Sequence, residues 1–461
     1  MVSSKKLPAN NVQDNESCTL LSQLKLFLTS FFKQHQLVHP TLLVAYSGGL
    51  DSTVLLHAMH QLQSELTFAL TAMHVHHGLS FNADDWANFC EKNCNHLGIP
   101  LQQCQVRIDQ DSGLGLEAAA RNARYQALQT TNADFICLAH HQDDQAETLL
   151  LQLARGSGVK GLAGMAQIDE KRRLVRPLLH ASRHALALYA KAHQLQWIDD
   201  ESNADTSFNR NFIRHELLPI FSKRYTSITK TLARSASHMA EANQLLDELA
   251  LLDASTVLDK QYKTVYIASL IKLSQARKNN VIRFWLNQNN VELPNASLLG
   301  QILQQLTTEK ADAAIKIKVA EKLYVMRYQG LAYLVIEQNA LAPINLLWQG
   351  EEIVMLPNLS RLYFTVQKGK GFAYQRGGSD IKLRIKNREG GEYFKPTLGR
   401  PRRHLKTVMQ TSQIPPWQRA QLPLIFMDET LVIIPNIGCD AEMEAQSHEA
   451  GLIVHWEPAT H

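Results

Sequence analysis

No stretch of this 461-residue sequence is long and apolar enough to read as a membrane span. The most apolar run near the N-terminus, residues 19–32, is interrupted by Ser22, Gln23, Lys25, Thr29 and Ser30. The opening "MVSSKKLPANNVQDNESC" is polar, so no secretory signal is expected there. Cysteine is scarce. The six residues, at 18, 90, 94, 104, 137 and 439, do not form a disulfide-like framework, which points to a reducing compartment. A strong charge imbalance is also missing: a formal charge of +4 argues little about partners until the placement of the charges is known. No internal repeat or low-complexity tract is visible. Membrane proteins, disulfide scaffolds and repeat arrays are thereby set aside, and a cytoplasmic globular protein is expected. Hydrophobic residues at 45% and charged residues at 20% suit that class, and the length allows two or three domains.

From residue 41 short apolar runs alternate with helical patterns. "TLLVAY" (41–46), "FALTAMHV" (68–75), "LQQCQVRI" (101–108) and "DFICLAH" (134–140) read as strands. Helical patterns cover about 51–65, 83–97, 115–130 and the stretch up to Arg155. Such alternation predicts right-handed βαβ units and a parallel sheet covered on both faces. Ligands of such sheets sit beyond the carboxyl ends of the strands. The stretches 47–52, 74–80 and 140–147 all fall there.

After about residue 225 the texture changes. Residues 226–311 are mostly helical in pattern, 313–338 read as two or three strands, and from about 345 short strands accompany a basic segment. The expected division is a catalytic domain over 1–225, a mostly helical domain over 226–344 and a small α+β domain over 345–461.

The first of the suspicious stretches is Ser47-Gly48-Gly49-Leu50-Asp51-Ser52, set between a buried strand and a helix. Backbone N–H groups can converge there on an anion, aided by the positive end of the helix. The loop lacks the lysine of a P-loop, so γ-phosphate transfer is not expected. An aspartate beside polyphosphate is explained if Asp51 holds Mg²⁺, which favours one or two carboxylates plus phosphate oxygens. A plain Gly-Gly turn before a helix would look similar in isolation.

S-G-G-x-D-S after a first strand resembles the pyrophosphate loop of the N-type ATP pyrophosphatases, which split ATP between the α- and β-phosphates and activate an oxygen as an adenylate. Further stretches narrow the resemblance: "HVHHGLS" (74–80), "EAAARNARY" (117–125), "AHHQDDQAET" (139–148), "GSGVKGLAGM" (156–165), "RPLL" (176–179), "WIDDESN" (197–203) and "RNFIRHELLP" (210–219). In order and spacing they resemble the tRNA(Ile)-lysidine synthetase family over about residues 41–220. Ser80 departs from that pattern, which often has Arg at this place.

The resemblance implies an α/β catalytic domain that binds ATP through Ser47, Gly48, Gly49, Leu50, Asp51 and Ser52. It also implies that Asp51, Asp144 and Glu147 take part in catalysis. Asp144 and Glu147 lie three apart at a helix start and share one face, although acids are favoured in any first turn. They could complete a Mg²⁺–ATP site, or steer a lysine substrate and take its proton; an amine with a reference pKa near 10.4 needs a base before it attacks. Arg121 could reach the α-phosphate, where charge builds during adenylation, or only pair with Glu117 at i,i+4. Arg210 and Arg214, also four apart and facing the same way, are expected to stabilise the adenylate or hold RNA phosphate, with a solvated basic helix face as the alternative. His74, His76 and His77 lack a fourth ligand at metal-site spacing and more simply shape the pocket or cap the strand.

No C-x-x-C occurs, and Cys90 and Cys94 suit core packing, which removes the main support for a tRNA-thiolating relative. Between Arg376 and Lys406 ten basic residues, among them Arg384, Arg388, Arg402, Arg403 and Lys406, face only Asp380, Glu389 and Glu392. That density favours contact with RNA backbone. "HLKTVMQTSQIPPWQRAQLPLIF" (404–426) and "LVIIPNIG" (431–438) likewise resemble the tRNA-binding C-terminal domain of the longer lysidine synthetases. The expected reaction joins L-lysine to C2 of the wobble cytidine of the isoleucine tRNA with a CAU anticodon, with ATP and Mg²⁺. Another pyrophosphate-loop tRNA enzyme, such as a 2-thiolase, or a silent tRNA- or nucleotide-binding protein are the alternatives. No membrane partner is expected, and a homodimer stays open.

Overall fold

A computed structural model describes residues 9–76, 78, 82–107, 116–308, 315–337, 343–374 and 382–458; of residues 9–18, 116, 117, 202 and 308 it describes the backbone only. His77, Ser80 and Arg376 therefore lie outside the described residues. The chain forms two compact units, Met1–Leu246 and Asp247–His461.

The first unit begins with helix α1 (Ala9–Gln34), followed by β1 (Thr41–Ala45), α2 (Leu50–Leu62), β2 (Ala69–His76) and α3 (Ala83–Leu97). Then come β3 (Leu101–Gln105), α4 (Leu116–Gln129), β4 (Phe135–Cys137) and α5 (Gln142–Ala154). All four expected strands are present. The sheet order is β3-β2-β1-β4-β6-β5, where β5 is Ile168–Asp169 and β6 is Leu174–Val175. Pairing is parallel except between β5 and β6. These last two strands have two residues each, too few for a periodic signal in sequence.

Strand alternation separates the two cores. Leu42 and Val44 point to one face, packed with α2 and with Leu20, Leu24, Leu28 and Phe31 of α1. Leu43, between them, points to the other face with Met73, Leu128 and Ile136. The four buried positions of α1 recur at helical spacing, so the N-terminal apolar run is an amphipathic helix that covers the sheet. Each such side chain contributes about 1.5–3 kcal/mol by leaving water. Among the described residues, no helix is long and apolar enough to cross a membrane.

A short α6 (Val159–Leu162) lies between α5 and β5, and beyond β6 the chain forms α7 (Arg183–Ala192), α8 (Asn209–Phe212), a π-helical turn (Ile213–Leu217), α9 (Leu218–Arg224) and α10 (Ile228–Val257). The boundary between the units falls within α10.

The second unit holds two cores. One gathers residues from Ala250 to Ala332 around Trp285, with an antiparallel sheet that includes the strands Lys316–Ala320, Leu323–Tyr328 and Leu331–Ile336. The other gathers residues from Ile344 to Trp456. In its strand Leu383–Lys386, Leu383 and Ile385 are buried and Arg384 is exposed, so the alternation expected for "KLRIKNR" is present. Within this unit Arg419 donates to the Tyr328 hydroxyl at 2.8 Å, and Trp417 packs edge-on against Tyr333.

Candidate active site

Gly48 ends the β1 turn with φ +83°, a conformation that favours glycine, and its carbonyl accepts the backbone N–H of Ile198 at 2.9 Å. The two loop serines bind each other, Oγ to Oγ at 3.1 Å, and the Ser52 hydroxyl lies 3.1 Å from the Gly49 carbonyl. Gly49 caps α2 without any side-chain cap. The first-turn N–H groups of α2 have no intrahelical partner and face the space beyond the strand ends. Tyr46, just before the loop, is buried and its hydroxyl accepts from Asn93 at 2.6 Å.

His141, the N-cap of α5, is 1% exposed and joins this loop to the acids of α5. Its Nε2 lies 3.4 Å from Asp51 Oδ2 and 3.6 Å from Asp144 Oδ2; its Nδ1 lies 3.7 Å from Asp143 Oδ2. These distances are too long for directed hydrogen bonds, so the attraction is one of charge. Burial pushes the His141 pKa down, yet the carboxylates of Asp51, Asp144 and Asp143 outweigh it and raise the pKa.

Asp144 and Glu147 meet the two arginines. Asp144 Oδ2 accepts the His141 backbone N–H at 2.9 Å, while Oδ1 accepts Arg210 at 2.7 Å. Asp144 thus caps its own helix and faces the site at once. Burial raises its pKa, but the charges of His141 and Arg210 prevail and hold it below the usual range. Glu147, 1% exposed, accepts Arg210 Nε at 2.7 Å and Arg214 at 2.6 and 3.0 Å. Arg210 and Arg214 therefore face the same way, as their spacing predicted.

A second cationic group lies around Tyr125. Arg121 donates to the Tyr125 hydroxyl at 3.2 Å, and the guanidinium carbons of Arg121 and Arg124 lie 5.2 and 5.7 Å from its ring centre. The side chain of Glu117 is outside the described residues. Arg176, of "RPLL", donates to His140 Nδ1 at 3.2 Å and to the Ala166 carbonyl at 2.6 Å. Burial lowers the pKa of His140 well below its ordinary value and keeps the ring neutral. Sequence reasoning passed over His141 and Arg176. The His-His pair ahead of Asp143-Asp144 was the available signal for the first; the second had no local signal.

His74 is a buried strand residue with Nδ1 3.0 Å from the Tyr46 carbonyl, and His76 Nε2 lies 3.1 Å from Asp84. Among the described residues no group of three or more His, Cys, Asp or Glu forms a metal cluster. Asp51 Oδ1 is a buried oxygen with no hydrogen-bond partner, whereas the Asp144 and Glu147 oxygens are engaged by arginine. A single carboxylate oxygen beside a phosphate loop fits Mg²⁺ that completes its shell on the nucleotide and water.

In the second unit Arg384 is exposed and donates to Asn345 at 3.1 Å, and Lys406 is exposed. Arg403 is half-buried in a two-residue strand. Arg388 lies 3.5 Å from Glu392. Arg402 is held between fully buried Asp440 and Glu442, at 2.9 Å to each.

Three family models match the chain: one described as a PP-loop domain over residues 20–221, one as a TilS substrate binding domain over 267–333, and one as a TilS substrate C-terminal domain over 383–456. Similar curated proteins include the tRNA(Ile)-lysidine synthase of Nitrosomonas europaea, 40% identical over 425 residues that cover 91% of this chain and 92% of the relative. That of Coxiella burnetii is 38% identical, covering 90% and 93%, and that of an Azoarcus species 36%, covering 90% and 91%. Likeness at this level over nearly the whole of both chains, together with the ATP-loop geometry, shows that the chain belongs to the tRNA(Ile)-lysidine synthase family.

Proposed function

We propose that the chain joins L-lysine to C2 of the wobble cytidine in the isoleucine tRNA with a CAU anticodon. The carrying observation is the line of charges running from the ATP loop through Asp51, His141, Asp144, Arg210, Glu147 and Arg214. The cytidine O2 attacks the α-phosphorus of ATP and pyrophosphate leaves. The lysine ε-nitrogen, after losing a proton, then attacks C2, and AMP departs with the oxygen. The turn at Ser47–Ser52 holds pyrophosphate through backbone N–H groups and hydroxyls. Asp51 carries Mg²⁺, which when bound offsets the phosphate charge. Asp144 and Glu147 receive the lysine ammonium; two guanidinium groups already rest there, which marks the place as complementary to cations. Arg210 stabilises the adenylate, Arg214 turns to RNA phosphate, and Arg121 serves the α-phosphate.

The basic residues Arg384, Arg388, Arg402, Arg403 and Lys406 form the tRNA-backbone contact of the 345–461 domain, while 226–344 bridges it to the catalytic region 1–225. Separate cores support this division. We further propose a cytoplasmic homodimer, which sedimentation velocity checks. The activity test is nucleoside mass analysis after reaction with tRNA, ATP, lysine and Mg²⁺. Lysidine is expected; thiocytidine without lysidine, or no product and no pyrophosphate, overturns the reading.

A further inference from the structure

Helix α4 carries Arg121, Arg124 and Tyr125 at positions i, i+3 and i+4, which the helix turns to one side. Arg176 reaches the same phenol from another element. It follows β6, which runs parallel to β4, so it leaves the sheet at the edge where His140 stands beyond β4. Its Nε donates to His140 Nδ1, its Nη1 to the Ala166 carbonyl, and the guanidinium also meets Tyr125. Three guanidinium groups thus gather at one ring: Arg121 is 3.2 Å from its hydroxyl and the guanidinium carbon of Arg124 is 5.7 Å from its centre.

These cations have no anion of their own. Among the described residues none of the three makes an ion pair, and Arg124 Nε is buried without a hydrogen-bond partner. Burial, with the charges of Arg121 and Arg210, lowers the Arg124 pKa, and burial does the same to Arg176. The neighbouring carboxylates are engaged: Asp144 accepts Arg210, and Asp169, which offsets Arg176 in part, lies 4.0 Å from Arg172. A buried unpaired charge destabilises a fold, so its retention points to an anion that arrives from outside. Arg121 and Arg124 are half-buried, so their outer atoms reach solvent. The guanidinium fork suits phosphate oxygens.

In the proposed reaction the loop at 47–52 takes the pyrophosphate and Arg121 the α-phosphate. The α-phosphate carries one charge, which Arg121 alone matches; Arg124 and Arg176 are left over. The other phosphates that enter with the substrates are those of the RNA backbone. The cytidine O2 must touch the α-phosphorus, so the backbone of that nucleotide comes within one nucleotide's length of Arg121. We infer that Arg124, backed by the charge of Arg176, seats a phosphodiester of the RNA next to the reacting nucleotide. The inference rests on the proposed reaction and adds how its target is anchored. His140, kept neutral by burial, accepts from Arg176 and acts as a positioning residue. A backbone contact of this kind holds the nucleotide in register without reading its base.

The test is Arg124→Gln in the full chain, with three readouts. Binding to an RNA hairpin whose loop carries CAU, measured by fluorescence anisotropy across a salt series, should weaken about tenfold, and the salt slope should fall by about 0.7, the share of one single-strand phosphate. Binding of ATP with Mg²⁺ in the absence of RNA, measured by calorimetry, should stay within about twofold. The melting temperature of the free chain should stay level or rise, because an uncompensated buried cation has been removed. A lowered melting temperature marks the guanidinium as a structural prop and overturns the inference. Unchanged hairpin affinity overturns it as well, and so does a loss of ATP affinity, alone or with that for RNA, which would make the seat part of the nucleotide site. The wild-type chain's lysidine product is measured separately: its absence condemns the proposed reaction, whereas its presence with unaltered hairpin binding by the variant condemns only the seat.

Discussion

Ile198 donates its backbone N–H to the Gly48 carbonyl at 2.9 Å, and its Cδ1 lies 2.8 Å from the point where a Cβ on Gly48 would stand. Cys90 Sγ lies 3.1 Å from the same point. The segment "WIDDESN" therefore fastens the ATP loop from outside the strand that carries it. Gly48→Ala must adopt φ +83° with a side chain, which costs about 1–2 kcal/mol before any contact is counted. Gly49 has φ −74° and meets nothing nearer than 3.6 Å, so Gly49→Ala should leave stability nearly unchanged. Thermal unfolding of both variants checks the contrast, and equal losses would disprove it.

Asp51→Asn removes a charge from a carboxylate that has no protein hydrogen bond at Oδ1. Pyrophosphate release is expected to be lost with tRNA affinity within about twofold of wild type, because RNA phosphates are held elsewhere. Loss of tRNA binding with chemistry retained would reassign the loop.

Arg210→Ala together with Arg214→Ala leaves Glu147 buried without its cations. Stripping a buried carboxylate of its partners costs about 3–5 kcal/mol, so urea unfolding should shift to markedly lower midpoint. Replacing Glu147 by Gln at the same time should recover part of the loss. A double variant as stable as wild type would show the pairs to be dispensable.

His57 on α2 gives a pH signature away from the site. Burial, aided by the charges of His193 and His60, lowers its pKa to about 4, and Nδ1 rests 3.0 Å from the Tyr189 hydroxyl. The unfolded chain takes up this proton near the reference value of about 6.5, the folded chain only near 4. Stability from this group is therefore full above about 6.5 and falls as the pH drops towards 4. His57→Gln should flatten the melting temperature over that window; an unaltered profile would place the titration elsewhere.

Much of the catalytic unit is legible because buried parallel strands are written as apolar runs and the helices between them as periodic ones. The carboxylates at 144 and 147 are legible because a separation of three fixes a common helix face. His141 is not, since "AHHQDD" does not say which histidine leaves the strand and which caps the helix; only the backbone turn decides it. Arg176 reaches His140 across a 36-residue separation that no local pattern encodes. Arg402 is instructive in the other direction. Its basic neighbourhood suggests RNA, yet it neutralises buried Asp440.

From that pairing a further contrast follows. Arg402→Ala should destabilise the C-terminal region by about 2 kcal/mol, discounted for the partial exposure of the arginine, as well as weaken tRNA binding. Lys406→Ala should affect tRNA binding alone. Chemical unfolding beside filter binding separates the two.

The π-helical turn at Ile213–Leu217 sets the angle between two tasks. Each residue of a regular helix turns the chain by about 100°, so one residue more or fewer there rotates everything downstream by that amount. Arg210 would stay in place while Leu218, Pro219 and Ser222 swung away from the pocket they line. The wide turn thus works as a phase adjuster: it lets one continuous rod grip the acids through Arg210 and Arg214 and still bring Leu218 and Ser222 to the wall of the same pocket, with a tolerance finer than a single residue.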